Sequence, residues 1–174
     1  MSATQAAEAA KEFVISRDLD APRDLVWACF TDPAQMQQWW GPKGFTVIAS
    51  KMDLRAGGMY HYGLKAPDGP PMWGRFIFRE VSPKDRMVFI SSFSDEAGGV
   101  TRHPMAPDWP LEMLSTFTFE DLPGGRTRFT VRWTPHNATE TETRVFNDSL
   151  ANMNQGWSGT LEKLESYLAT ARRP

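Results

Sequence analysis

Few side chains in this sequence are of types that do chemistry, and their spacing limits what that chemistry can be. His61, His103 and His136 stand far apart. None has the i, i+4 partner that a zinc hydrolase presents on one helical face, so no metal and no other cofactor is expected. Cys29 is the single cysteine, which leaves neither a disulfide framework nor a thiolate cluster. It falls on an amphipathic stretch with no histidine close in sequence, and it reads as a small buried side chain in a reducing, cytoplasmic setting. Ser115 interrupts the apolar series Met113, Phe117 and Phe119. It lacks a nucleophile elbow and a Ser-His-Asp order, so a hydrogen bond to a ligand or to an internal neighbour suits it better. His61 shares a strand face with Met59 and Gly63, while Tyr60 and Tyr62 take the other. An imidazole facing an apolar pocket can orient a ligand or move a proton; otherwise it is exposed or satisfied by a neighbour. Glu112 points away from Met113, and Arg55-Ala56-Gly57-Gly58 has no Walker lysine or dinucleotide pattern, so it reads as a turn and bulge. No catalytic constellation emerges.

The bulk figures narrow the classes further. The chain has 174 residues, 41% hydrophobic and 23% charged, with a formal net charge of −2. That fits one globular domain with a sizeable core. Scattered arginines and the absence of a basic excess argue against nucleic acid as a partner, and no apolar run is long enough to span a membrane. Residues 1–11, Ala-rich and without an apolar h-region, read as a flexible leader rather than a secretory signal. Residues 12–174 read as a single domain.

Elements to position these residues follow from period and punctuation. A first strand runs from Phe13 to Leu19. A short helix follows, with Asp20 as its cap and Pro22 in the first turn, and Thr31-Asp32-Pro33 restarts a second one. Pro and Gly then separate strands at residues 45–54, 59–65, 72–81 and 86–93. Residues 94–110 form a long loop of the kind that serves as a lid or binding loop, or is a tolerated insertion. A hairpin over 111–119 and 127–133 brings the strands to seven. The last segment is read as one helix from Thr139 to Thr170. Thr139 and Glu142 form a capping box. Phe146, Leu150, Met153, Trp157, Leu161, Leu164 and Leu168 share one stripe. About thirty residues give a rod of roughly 45 Å, which needs a broad apolar surface to lie on. Sequential antiparallel strands supply it by twisting around the helix.

At this point the chain resembles a known family. The carrying residues are Asp32-Pro33, Trp39-Trp40-Gly41-Pro42, Arg55-Ala56-Gly57-Gly58, Glu80-Val81-Ser82-Pro83 leading to Arg86-Met87-Val88-Phe89, Gly124-Gly125-Arg126-Thr127, and Gly156-Trp157 with Leu161, Leu164 and Leu168. Together they are similar to the START-related helix-grip superfamily, which holds birch-pollen-allergen-like proteins, polyketide cyclases and aromatases. The nearest likeness is to the bacterial group related to the activator of the 90-kDa heat-shock protein ATPase. The resemblance implies an α+β helix-grip fold: a curved antiparallel seven-stranded sheet around a long C-terminal helix, with two short helices between strands 1 and 2. It also implies an elongated apolar cavity between sheet and helix, and it puts Trp39-Trp40 near one mouth.

Several features suit such a cavity. Gly156 and Gly159 interrupt the helix interior, leaving room for a ligand or letting another backbone approach. The sequence also holds nine methionines and 11 Phe, 7 Trp and 3 Tyr, residues that line flat apolar pockets and ordinary cores alike. The expected wall is Trp40, His61, Trp73, Met113, Ser115, Phe117, Trp133, Phe146, Met153 and Trp157, around a small apolar ligand. Of Trp39 and Trp40, at most one is expected to face directly inward, and one to wedge beneath the short helices. Two alternatives stay open: a cyclase- or aromatase-like enzyme using His61, and a stimulator of the 90-kDa chaperone's ATPase with that chaperone as partner. A homodimer is a further expectation.

Overall fold

The computed structural model describes residues 9–171. In chain order the elements are β1 (Phe13–Leu19), α1 (Arg23–Thr31), α2 (Pro33–Trp39), β2 (Thr46–Met52), β3 (Met59–Lys65), β4 (Met72–Ser82), β5 (Arg86–Ser94), β6 (Val100–Thr101), β7 (Glu112–Leu122), β8 (Arg126–His136), α3 (Glu140–Asp148) and α4 (Leu150–Ala171). The long strands form one antiparallel sheet in the order β1-β8-β7-β5-β4-β3-β2, with α1 and α2 connecting its two edge strands. This is the expected α+β helix-grip arrangement. Of residues 1–11, expected to be a flexible leader, residues 1–8 lie outside the described residues. Of the rest, the Lys11 N–H donates to Asn147 Oδ1 at 2.8 Å and the Ala9 carbonyl accepts from Asn147 Nδ2 at 3.0 Å.

The structure corrects three expectations. The sheet has an eighth strand among the described residues: β6 pairs with the end of β5 through Phe93↔Thr101 and Ser94↔Val100. Asp95 makes the turn possible, since its carboxylate accepts from the Gly99 N–H at 2.8 Å while Gly98 takes φ +94°. Residues 94–110 are therefore part hairpin and part loop. Second, α1 is not capped by Asp20; Pro22 occupies the N-cap with no side-chain bond. Asp32, by contrast, does cap α2, accepting from the Ala34 N–H.

Third, the final rod is two helices. The capping box at Thr139 and Glu142 is fully formed, but the helix stops at Asp148 and restarts at Leu150. Asn147, Asp148 and Ser149 are residues whose side chains compete with helical backbone bonds. Here Asn147 reaches out to residues 9 and 11, and the Ser149 hydroxyl donates back to the Val145 carbonyl at 2.7 Å. The 22 residues of α4 then give a rod of about 33 Å.

An aromatic core joins α1 to the strands. Phe30 stacks on Phe129 at 4.4 Å and meets Phe117 and Phe119 edge-on at 5.4 and 5.5 Å. Trp39 and Trp40 are both buried, because α2 ends between them and Trp40 continues in extended backbone. Trp39 is the wedge: its Nε1–H donates to the Cys29 carbonyl at 3.1 Å, and its ring meets Phe30. The second half of α4 rests on this core through Leu161, Leu164 and Leu168, which are 0%, 0% and 2% exposed.

That half of α4 also holds the chain that leaves α2. The Lys163 ammonium donates to the carbonyls of Trp40, Gly41, Pro42 and Phe45 at 3.1–3.5 Å, and the Thr160 hydroxyl lies 3.3 Å from the Gly41 carbonyl. Gly41 itself sits at φ +98°, with Leu64 3.0 Å from where a Cβ would stand. Replacing Lys163 by Met keeps the stem and removes the ammonium, while the Gly41 and Pro42 carbonyls keep the Thr160 hydroxyl and the Phe45 N–H. A loss of about 1–3 kcal/mol is expected, read as a lower denaturation midpoint with an unchanged m-value.

Candidate functional site: the cavity between sheet and helix

On the N-terminal side of Trp157, α4 stands off the sheet. Between its first half and the strands lies a cavity of about 460 Å³. Trp157 marks the boundary, with its ring edge-on to those of Trp40, Phe117 and Trp133 at 5.7, 5.8 and 5.6 Å. Met113 and Met153 complete this side, so Trp40, Met113, Phe117, Trp133, Met153 and Trp157 from the sequence reading all line the space. The indole Nε1 atoms of Trp40 and Trp133 are buried without a hydrogen-bond partner. They are also covered, so the cavity meets the ring surfaces and not the N–H groups.

Four of the expected wall residues stand elsewhere. His61 and Trp73 lie on the outer face of the sheet, stacked on each other at 5.2 Å, with His61 Nε2 3.2 Å from the Asp95 carbonyl. The alternation was read correctly, but Tyr60 and Tyr62 are the inward pair. Glycines opposite the large rings fix this choice: a Cβ on Gly63 would come within 2.8 Å of Trp73 outside, and one on Gly74 within 2.4 Å of the Tyr62 hydroxyl inside. Ser115 is fully buried behind the wall, 3.1 Å from Ser91 Oγ. Phe146 is fully buried against Trp109, 6.0 Å between centroids, and Trp109 takes the wall position.

Sequence reasoning missed Tyr62, Ser91, His103, Trp109 and Asn152, which do line the cavity. Burial pushes the Tyr62 hydroxyl up to about 12, so it is neutral. The Trp40 indole N–H leans on it and offsets part of that push, short of full hydrogen-bond geometry. His103 arrives by way of the β6 hairpin, which folds residues 102–110 back over the end of β5 and sets its ring against Phe93, tilted by 57° with centroids 4.6 Å apart. Its Nδ1 accepts from the Met105 N–H at 3.0 Å, which leaves the neutral ring's proton on Nε2. Burial lowers its pKa, outweighing an interaction with the backbone of His103 itself that favours the charged ring, so the ring is neutral at pH 7.

Residues 102–110 roof one end of the space, and an ion pair latches them. Arg102 bonds the carboxylate of Glu142, and its Nη1 lies 3.4 Å from the Trp109 carbonyl. Glu142 is buried, which alone would raise its pKa. Its bonds from Arg102 and from Thr139 outweigh burial and hold the carboxyl below its ordinary value. The folded pKa being depressed, the latch contributes fully above the ordinary carboxylate range and is lost as pH falls through the lowered value. Amide protection in residues 102–110, taken relative to the intrinsic exchange rate at each pH, is therefore expected to fall on acidification through that range. In a Glu142→Gln protein it should already be low at neutral pH.

The opposite rim is α4 itself, where Asn152 and Gly156 lie exposed, one turn apart, at the cavity mouth. A Cβ on Gly156 would meet nothing within 4 Å, and one on Gly159 only the Lys43 stem at 3.5 Å. Neither glycine serves close backbone approach. Gly156→Ala should raise stability by up to about 1 kcal/mol, measurable as an upward shift of the thermal midpoint.

A sheet gripping a C-terminal helix with an apolar cavity between them defines a helix-grip protein. The chain belongs to the family described as "Activator of Hsp90 ATPase homolog 1-like protein", whose profile matches residues 20–169. Solved structures agree on the fold. An X-ray structure of a Nitrosomonas europaea protein is 22% identical over 92% of this chain and 96% of its own, with a TM-score of 0.72. A Mycobacterium smegmatis protein is 25% identical, with 90% of each chain covered and a TM-score of 0.72. A solution structure from Arthrobacter aurescens is 24% identical over 95% of this chain and 93% of its own, with a TM-score of 0.74. No match is found among curated proteins.

Proposed function

We propose that the protein binds a small, largely apolar molecule in the cavity under the first half of α4. The observation that carries this reading is the space itself: about 460 Å³ left open in an otherwise close-packed aromatic core. Close packing is the rule in protein interiors, and small-molecule sites range over roughly 300–1,000 Å³. Trp40, Met113, Phe117, Trp133, Met153 and Trp157 are the proposed contacts. Rings offer flat apolar faces, and the two methionines adjust to an occupant's outline.

Native mass spectrometry of freshly isolated protein is expected to show a bound small molecule that denaturation releases. Met153→Trp adds volume inside the wall. It should remove that adduct and weaken uptake of a neutral dye such as Nile red by tenfold or more. Absence of any adduct together with no dye uptake by the wild-type protein would refute ligand binding.

Family membership favours a second reading, stimulation of the Hsp90 ATPase. Adding the protein to that chaperone should then raise its rate of ATP hydrolysis; an unchanged rate removes the option. A cyclase-type reaction built on His61 has no support, since that imidazole lies on the outer face of the sheet. The cytoplasm remains the proposed setting. No helix among the described residues is long and apolar enough to cross a membrane.

A further inference from the structure

We propose that the cavity's ligand is an uncharged, flat molecule bearing a carbonyl-type hydrogen-bond acceptor, held at the lid end by the Ser91 hydroxyl and the Nε2–H of His103. This rests on the ligand-binding reading above and adds the ligand's charge and polarity.

Charge is settled by the wall. No Asp, Glu, Lys or Arg lines the cavity among the described residues. A charged ligand would lose its hydration without a counter-ion, at a cost that an apolar site does not return. The two titratable side chains in the wall, Tyr62 and His103, are both neutral at pH 7, for the reason of burial already given.

Polarity is settled by proton bookkeeping at one end. Ser115 is fully buried, and Ser91 Oγ is its hydrogen-bond partner at 3.1 Å. A buried hydroxyl proton left without an acceptor is costly, so Ser115 donates and Ser91 accepts. The Ser91 proton is then free to point elsewhere, and Ser91 lines the cavity. His103 repeats the pattern. Its Nδ1 is occupied as an acceptor by its own loop, which turns the opposite edge, with Nε2–H, away from that backbone. Nε2 has no hydrogen-bond partner in the protein among the described residues. Ser91 and Phe93 are two residues apart on one face of β5, about 6.6 Å, and the His103 ring packs at a tilt against Phe93. Two donors thus stand beside a single ring at the lid end; of the remaining wall Ser92, Ser149, Asn152 and Thr160 are polar, and the rest is apolar or aromatic. A carbonyl oxygen accepts from a hydroxyl and from an imidazole N–H alike, so an acceptor suits this end of the wall.

The test uses three dyes on the full chain, followed by fluorescence titration. Prodan is a neutral naphthalene ketone. Its analogue 2-dimethylamino-6-propylnaphthalene lacks only the carbonyl, and 2-anilinonaphthalene-6-sulfonate is an anion of similar breadth. Prodan is expected to bind about tenfold tighter than the propyl analogue, with the sulfonate weakest. His103→Phe keeps a ring against Phe93 and removes the donor, and Ser91→Ala removes the other. Each should weaken prodan severalfold and leave the propyl analogue unchanged. Equal binding of prodan and its propyl analogue, a sulfonate that binds as tightly as prodan, or variants that weaken both neutral dyes alike would overturn the proposal while leaving ligand binding intact. Failure of all three dyes to bind overturns the ligand-binding reading, and this one with it.

Discussion

The cavity exists because α4 is held by one end. Leu161, Leu164 and Leu168 sink its second half into the core, and Lys163 ties the same stretch to carbonyls of the chain between α2 and β2. A helix is stiff over its length, so fixing one half sets the height of the other above the sheet. Trp157 stands at the changeover, wide enough to touch Trp40, Phe117 and Trp133 at once. On one side of it side chains fill the space, and on the other they only enclose it.

Two further features follow from that geometry. The break at Ser149 makes α3 a helix separate from α4, and the N-terminal turn of α3 presents Glu142 to Arg102. The roof over residues 102–110 is thus fastened to a helix that does not share the anchor of α4. The floor, on β4, β5 and β7, is stiffened by stacked rings such as Phe76 on Phe89 at 4.0 Å. A rigid floor, a rigid rim and a separately latched roof form one chamber.

Much of this was legible in the sequence because it rests on local rules. The capping box at Thr139, the strand alternation and the stripe from Met153 to Leu168 each depend on neighbours within a few residues. The misreadings involve partners far away. Alternation divides Met59, His61 and Gly63 from Tyr60 and Tyr62, but both sets contain large rings. The inward side is settled only when β4 brings Gly74 opposite Tyr62 and Trp73 opposite Gly63. His103 looked like an isolated loop residue because its place depends on the pairing of β6 with β5. The helix break had a local signal in Asn147-Asp148-Ser149, which the strong apolar period on either side masked. Ser115 was rightly marked as odd in its series, yet its partner Ser91 lies on a neighbouring strand.

The split within α4 bears on how such a protein changes over generations. Residues that secure the fold and residues that shape the chamber occupy different turns of one helix and different ends of the strands. Substitutions at Met153, Gly156 or Asn152 can recut the interior without loosening Leu161, Leu164 or the Lys163 clamp. The architecture behaves as a mould with an interchangeable insert. Preserving the outline while the sequence drifts, as in the Nitrosomonas protein with a TM-score of 0.72 at 22% identity, is what such a division of labour permits.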